Sequence, residues 1–257
     1  MPRFYVLGSK KRTAPRIDQL TERGWRVDKH HPLAPDGLCY IPGVDMRCCL
    51  VSGAVSTNAY PATDFVGQWG RAVRAYSGAV EVSFPSAAYF GLHTGAAQFS
   101  IFGLTRHDDG GATHYNSLSS NGSGGWGITN TSTHSLKLVR AFVGYSGDFN
   151  DGTLATDVWR TFGLVWTPGG NAKGYYNAVE TDLGNQTANV TDAPLVIASS
   201  NAASSRGVWT SMLLGYRRRL TALEQKLLHL RPTQFLIPAM PRTYFFFQRD
   251  PGIGVVR

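Results

Sequence analysis

The sequence predicts an all-β sandwich or barrel closed by one short C-terminal helix. From Leu38 to about Val208, apolar and polar residues alternate in short runs broken by Gly, Asn, Asp and Pro. Period-two runs with turn residues between them are the mark of half-buried antiparallel strands. After Thr221, by contrast, leucines recur at helical spacing. Charged residues make up 16% of the chain, and 29 residues are glycine. That is less charge than the roughly one quarter of an ordinary soluble chain, and it suits a β protein that works inside an assembly. A length of 257 residues is compatible with one undivided sandwich.

The first 36 residues read as a basic arm. Arg3, Lys10, Lys11, Arg12 and Arg16 fall there, before a turn-rich stretch from His30 to Gly37. The net charge is +8, and a second basic knot is Arg217, Arg218 and Arg219. A nucleic-acid groove would interleave such residues with aromatics over one face. This chain does not, so no nucleic-acid partner is expected. An arm docking on an acidic protein surface fits better, with a solvated start as the alternative. The N-terminus shows no apolar run of signal-peptide length and no stretch of membrane-spanning length. Synthesis in a cytoplasm and no membrane contact are therefore expected. Cys39, Cys48 and Cys49 form no C-x-x-C pair, so free thiols are expected rather than zinc or disulfides.

The strand candidates run in order through 79–84, 89–92, 98–104, 136–145, 161–167, 173–179 and 194–198. Two long loops of small residues separate some of them. The first, 117–127, reads SLSSNGSGGWG, and the second, 147–156, reads GDFNDGTLAT. Loops of this composition sit at sheet ends. Thr221-Ala-Leu-Glu224 is a capping box that opens the helix, and Pro232 stops it. Leu220, Leu223, Leu227 and Leu230 are spaced to give that helix one apolar face. A C-terminal arm follows from residue 239 and carries Tyr244, Phe245, Phe246 and Phe247. Four consecutive aromatics need cover on both faces of a strand, either from this chain's own sheet or from a neighbour's. The expected organisation is an arm over 1–36, a sandwich over 37–238 and an arm over 239–257.

Three stretches carry a resemblance. Asp157-Val-Trp159-Arg-Thr-Phe-Gly-Leu-Val-Trp166 is a tryptophan-led strand. Gly169-Gly-Asn-Ala-Lys173-Gly-Tyr-Tyr-Asn177 follows as a hairpin, with Ala178 where glycine is usual. Trp209-Thr-Ser-Met-Leu-Leu-Gly-Tyr216-Arg-Arg-Arg-Leu220-Thr-Ala-Leu-Glu224 combines a strand, an aromatic and a capped helix. Together they resemble the laminin-G-like, concanavalin A-like jelly-roll family. The resemblance covers 158–235 well, and 38–145 only by pattern. It implies an antiparallel jelly-roll sandwich. The ends are similar to phage-encoded members, through Trp25 with His31-Pro-Leu-Ala-Pro-Asp-Gly-Leu38 and through Pro232-Thr-Gln-Phe-Leu-Ile-Pro238.

Catalysis is not expected. A retaining glycosidase needs two carboxylates about 5 Å apart, yet the strand candidates carry at most one acid each, such as Glu81. No Gly-x-Ser-x-Gly elbow is present. His107 and His114 could meet across a hairpin beside Asp108 or Asp109 and hold a metal, but surface turn histidines explain them better. No cofactor is required. Calcium is the one candidate ion, through Asp148, Asn150 and Asp151 in an Asn-Asp-Gly turn, and that turn capped by its own side chains is the plainer account. A glycan site would place Trp126 at a loop tip with Asn121 and Asn130, while core packing is the competing role for the tryptophan. Trp69 and Tyr60 are weaker candidates of the same kind.

The leading expectation is a non-enzymatic phage virion protein, a capsid decoration or head-surface protein that binds the particle through its arms. Its partners would be a major capsid, neck or tail protein and further copies of itself, with a trimer among the arrangements. The alternative is a carbohydrate-binding, lectin-like module of a neck, tail or fibre.

Overall fold

The computed structural model describes residues 24–45, 47–56, 63–65, 71–75, 80–92, 98–107, 114–118, 126–130, 136–140, 144–149, 158–185, 194–200 and 208–239. These hold three antiparallel sheets and one helix. The larger sheet has eight strands. Its main path runs β13 (Val179–Asn185), β12 (Asn171–Tyr176), β11 (Trp159–Trp166), β6 (Phe99–His107), β15 (Val208–Tyr216), β4 (Arg71–Ala75), β3 (Thr63–Phe65), and β2 (Leu38–Tyr40) also pairs with β15. The smaller has six, in the order β10 (Gly144–Asp148), β9 (Leu136–Arg140), β8 (Trp126–Asn130), β7 (His114–Leu118), β14 (Pro194–Ser200), β5 (Val80–Ser86). A ribbon of β1 (Trp25–Val27) and β16 (Leu236–Pro238) makes the third. The fold is an all-β jelly-roll sandwich with one short helix, α1 (Ala222–Leu230), as the residue pattern predicts.

Period two explains both faces of the larger sheet. Phe99, Ile101, Phe162, Leu164, Trp166 and Leu213 point inward to Val82, Phe84, Ile128, Leu195 and Ile197 of the smaller sheet. Their neighbours Phe102, Leu104, Val165, Met212, Leu214 and Tyr216 point the other way, and there they meet Leu228 of α1, Phe235, Leu236, Val27 and Leu33. The larger sheet is therefore buried on both sides, which accounts for the unbroken burial of β11 after Trp159.

The capping box is complete. Thr221 Oγ1 accepts from the Glu224 backbone N–H at 3.2 Å, and Glu224 Oε2 accepts from the Thr221 N–H at 2.8 Å. The helix face differs from expectation. Only Gln225 and Leu228 are buried within α1, together with Leu220 just before it. Leu223, Leu227 and Leu230 are 65%, 38% and 63% exposed. Spacing defines a stripe on the helix, but which stripe faces the sheet is set by the docking point. Here Gln225 seats over Gly163, where an added Cβ would come within 2.5 Å of Gln225 Oε1.

Several expected boundaries move. Residues 89–92 form a turn after β5 rather than a strand: the Tyr89 and Gly91 N–H groups donate to Ser86 and Ala88 carbonyls, and Gly91 has φ +70°. Phe90 and Leu92 are nevertheless buried, so alternation came from a turn that plugs the core. The 136–145 candidate splits into β9 and β10, which pair as a hairpin. The N-terminal arm is shorter than 1–36, because 24–36 belong to the body. Ala239 N–H donates to Gly24 O, and Tyr216 Oη donates to Leu33 O at 3.0 Å. Two of the three arginines of the basic knot, Arg217 and Arg218, bond internally here. The Arg217 N–H donates to Asp36 Oδ1, the Arg217 side chain donates to Phe90 and Tyr89 carbonyls, and Arg218 donates to Pro32 O and pairs with Glu224 at 2.8 Å. Burial alone would raise the Glu224 carboxyl, but the bonds from Arg218 and Thr221 outweigh it and hold its pKa below the usual value.

The β12–β13 hairpin turns through Asn177 (φ 46°) and Ala178 (φ 67°). Two positive φ values in a two-residue loop define a type I′ turn, whose usual second residue is glycine. A left-handed non-glycine residue costs about 1–2 kcal/mol, partly offset by the extra freedom glycine has when unfolded. Ala178→Gly is expected to stabilise the chain by about 0.5–1 kcal/mol, read as a higher urea midpoint at unchanged m value.

Candidate functional site

Trp126 is not at a loop tip. It opens β8 and is fully buried, with its Nε1 donating to Leu92 O at 2.7 Å and its ring 5.4 Å from that of Phe99. A glycan cannot stack on an indole with no exposed face, so this candidate is corrected to a core residue. Asn130 closes the same strand, and Asp148 closes β10. Asn121, Asn150 and Asp151 lie outside the described residues, as do Trp69, Tyr60, Arg3, Lys10, Lys11, Arg12, Arg16, Tyr244, Phe245, Phe246 and Phe247. Phe149, between Asp148 and Asn150, is buried, and its carbonyl accepts from Thr181 Oγ1 at 3.1 Å. Among the described residues no group of three or more His, Cys, Asp or Glu could hold a metal. All three cysteines are free thiols.

A different surface gathers binding chemistry. Trp159 of β11 pairs with Arg106 of β6, which pairs with Trp209 of β15. Partners in register on adjacent strands project on one face, so the three form a row across the larger sheet. The face is the one that bears α1, since Trp159 packs against the cluster containing Leu104 and Leu228. The Arg106 guanidinium lies 5.8 Å from the centre of the Trp209 ring, within the range of a cation–π contact. Trp209 is 6% exposed, whereas Trp159 and Arg106 are half-buried.

Two residues along β11 on the same face stands Thr161. Its hydroxyl is 2.7 Å from His229 Nδ1, in the last turn of α1. Asn177 joins them from the hairpin: its Oδ1 accepts from the Thr161 N–H at 3.1 Å, and its own N–H donates to Thr161 O at 2.9 Å. Burial pushes the His229 pKa down, favouring the neutral imidazole, whose ring nitrogen can trade a hydrogen bond with the hydroxyl in either direction. An aromatic edge, a guanidinium, an imidazole and a carboxamide thus come together at one end of the sheet. Such a set can stack on an apolar ring face and hydrogen-bond hydroxyl or carboxylate groups around it. A hydroxyl–imidazole pair is also the smallest nucleophile–base unit. Thr161, however, is only 6% exposed.

Beyond the turn the hairpin carries a polar ladder. Lys173 Nζ lies 3.0 Å from Asp182 and 3.5 Å from Glu180, Asn171 donates to Asp182, and Tyr175 Oη donates to Glu180 at 2.7 Å. Hydrogen bonds from Asn171, the Gly184 N–H and Lys173 bring Asp182 down to about 2. A carboxyl held so low donates no proton near neutrality. These two acids are the carboxylate partners of Lys173 in cross-strand ion pairs on the hairpin.

Sequence reasoning missed the row because strand pairing assembles it. One signal was present: Val158-Trp159-Arg160-Thr161 and Val208-Trp209-Thr210-Ser211 start two strands with the same pattern.

No protein-family model matches the chain, and no curated protein matches it. Solved structures share its fold. A Trypanosoma rangeli sialidase in complex with sialic acid is 11% identical, with a TM-score of 0.55 over 80% of this chain and 32% of that one. The binding domain of botulinum neurotoxin DC in complex with rat synaptotagmin II is 12% identical, with a TM-score of 0.61 over 75% of this chain and 50% of that one. The receptor binding domain of the botulinum neurotoxin C/D mosaic serotype is 10% identical, with a TM-score of 0.60 over 76% and 50%. The chain thus spans about a third of the sialidase chain and half of the toxin chains. At these identities the likeness is one of fold.

Proposed function

We propose that the chain is a lectin-like binding module that attaches to glycans without catalysing a reaction. The observation that supports it is the Trp159–Arg106–Trp209 row, with His229 and Asn177 meeting the same β11 two residues on, on one face of a jelly-roll sandwich. The fold neighbours fit this reading, since they include a sialidase solved with sialic acid and receptor-binding domains of toxins. The reading also takes the phage virion as carrier, on a neck, tail or fibre, supported by the resemblance of the segments around Trp25 and Pro232 to phage-encoded members.

The test is a glycan array probed with wild type, Trp159→Ala and Arg106→Gln, each checked for an unchanged melting temperature. Binding to at least one glycan class is expected, with either substitution lowering it at least tenfold, the loss of an anchor worth about 1.4 kcal/mol or more. Wild type that binds no glycan, or variants that bind as well as wild type, would remove this reading.

A further inference from the structure

Among the described side chains, Tyr89 is the one exposed Phe, Tyr or Trp, at 51%. The turn beneath it is locked. Arg217, just past the end of β15, donates from Nε to Phe90 O and from Nη2 to Tyr89 O, each at 3.1 Å. Its stem lies on Gly91, where an added Cβ would come within 2.8 Å of Arg217 Cγ. The Arg217 N–H in turn donates to Asp36 Oδ1 at 2.8 Å. Tyr89, Arg217 and Asp36 are all exposed, so three distant stretches of chain present one hydrogen-bonded unit at the surface. The buried Phe90 ring stands at 86° to that of Tyr89, with 5.1 Å between centres. An edge contact of this kind leaves at least one broad face of Tyr89 clear of Phe90.

Each of the three keeps a polar atom in reserve. Among the described residues, Asp36 Oδ2, Arg217 Nη1 and Tyr89 Oη have no hydrogen-bond partner. A carboxylate accepts from hydroxyls and a guanidinium donates to oxygens, while the ring takes an apolar C–H face. The two charges cancel, so neither an anion nor a cation is favoured. We propose that Tyr89, Asp36 and Arg217 form a second sugar site, for a neutral pyranose that lies on the Tyr89 ring with its hydroxyls on Asp36 and Arg217. A turn already held in place has little ordering left to lose on binding. Three residues make a ring-sized patch, well short of the roughly 800 Å² per partner of a standard protein interface. The site is separate from the Trp159 row: Trp209 and Arg217 lie at opposite ends of β15, about 25 Å apart at strand rise.

The experiment is saturation-transfer NMR on the full chain with the methyl pyranosides of glucose, galactose, mannose and N-acetylglucosamine as probes. Wild type is compared with Tyr89→Ala, Tyr89→Phe, Asp36→Asn and Trp159→Ala, each checked for an unchanged melting temperature. At least one sugar is expected to receive saturation, strongest on the C–H protons of one ring face. Tyr89→Ala should weaken its binding about tenfold or more, and Asp36→Asn should weaken it too, since the amide is the poorer acceptor. Tyr89→Phe keeps the ring and should bind within about threefold of wild type, as a hydrogen bond through Tyr89 Oη adds little to the stack. No saturation of any sugar, or equal binding by Tyr89→Ala, overturns the proposal. Loss in Trp159→Ala alone also overturns it and leaves the Trp159 row as the sugar site. Loss in Tyr89→Ala with Trp159→Ala unchanged supports the second site, whatever the fate of the first.

Discussion

Trp126→Ala is expected to cost about 3–5 kcal/mol, the usual range for emptying a large aromatic site in a core. The indole is fully buried between the sheets and touches Phe99, which in turn stacks on Trp166 at 6.0 Å and 7°. Alanine leaves a cavity in that row and strips Leu92 O of its buried donor. An orphaned buried acceptor adds about 1–3 kcal/mol when no water replaces the donor, so the upper half of the range is the better guess. The check is urea unfolding, with a lower midpoint at unchanged m value. On the proposed reading, glycan binding per folded molecule should match wild type. A loss under 1 kcal/mol, or loss of binding at unchanged stability, would return Trp126 to the role its loop-like sequence setting suggested.

That setting shows where the sequence was legible. Features closed within a few residues were readable: the Thr221–Glu224 box, the alternation of β5, β6, β11 and β14, and the turn in which Ala178 replaces glycine. Features fixed by partners far along the chain were not. SLSSNGSGGWG reads as a loop, yet its tryptophan begins a strand because β7 and β9 flank it. The leucine spacing of α1 was correct as a pattern and wrong as a burial assignment, since nothing local says that Gly163 receives Gln225. Residues 24–36 read as an arm because β1 is three residues long and pairs with β16, at the far end of the sequence. The row of Trp159, Arg106 and Trp209 depends on three strands being adjacent, and no window of sequence contains it.

Gly163→Val is expected to cost about 3 kcal/mol and, on the proposed reading, to weaken glycan binding with it. Strand propensity argues the other way, because valine exceeds glycine in strands by up to about 1 kcal/mol. Packing should win. The first added carbon would already lie 2.5 Å from Gln225 Oε1 and 2.9 Å from its Cδ, and Gln225 is 1% exposed with its Nε2 donating to Ile101 O. Overpacking of this kind costs about 1–3 kcal/mol, and displacing the amide from its acceptor adds to it. The relief route is for α1 to lift, which separates His229 from Thr161 and disturbs the surface beside Trp159. Gln225→Ala removes the atoms that the new side chain meets, so the double variant should recover about 1–2 kcal/mol relative to the sum of the single changes. Simple additivity in that cycle would mean that the helix is seated by something other than the Gly163 notch. The link from sheet packing to the binding surface would then fail, even if the fold itself stood.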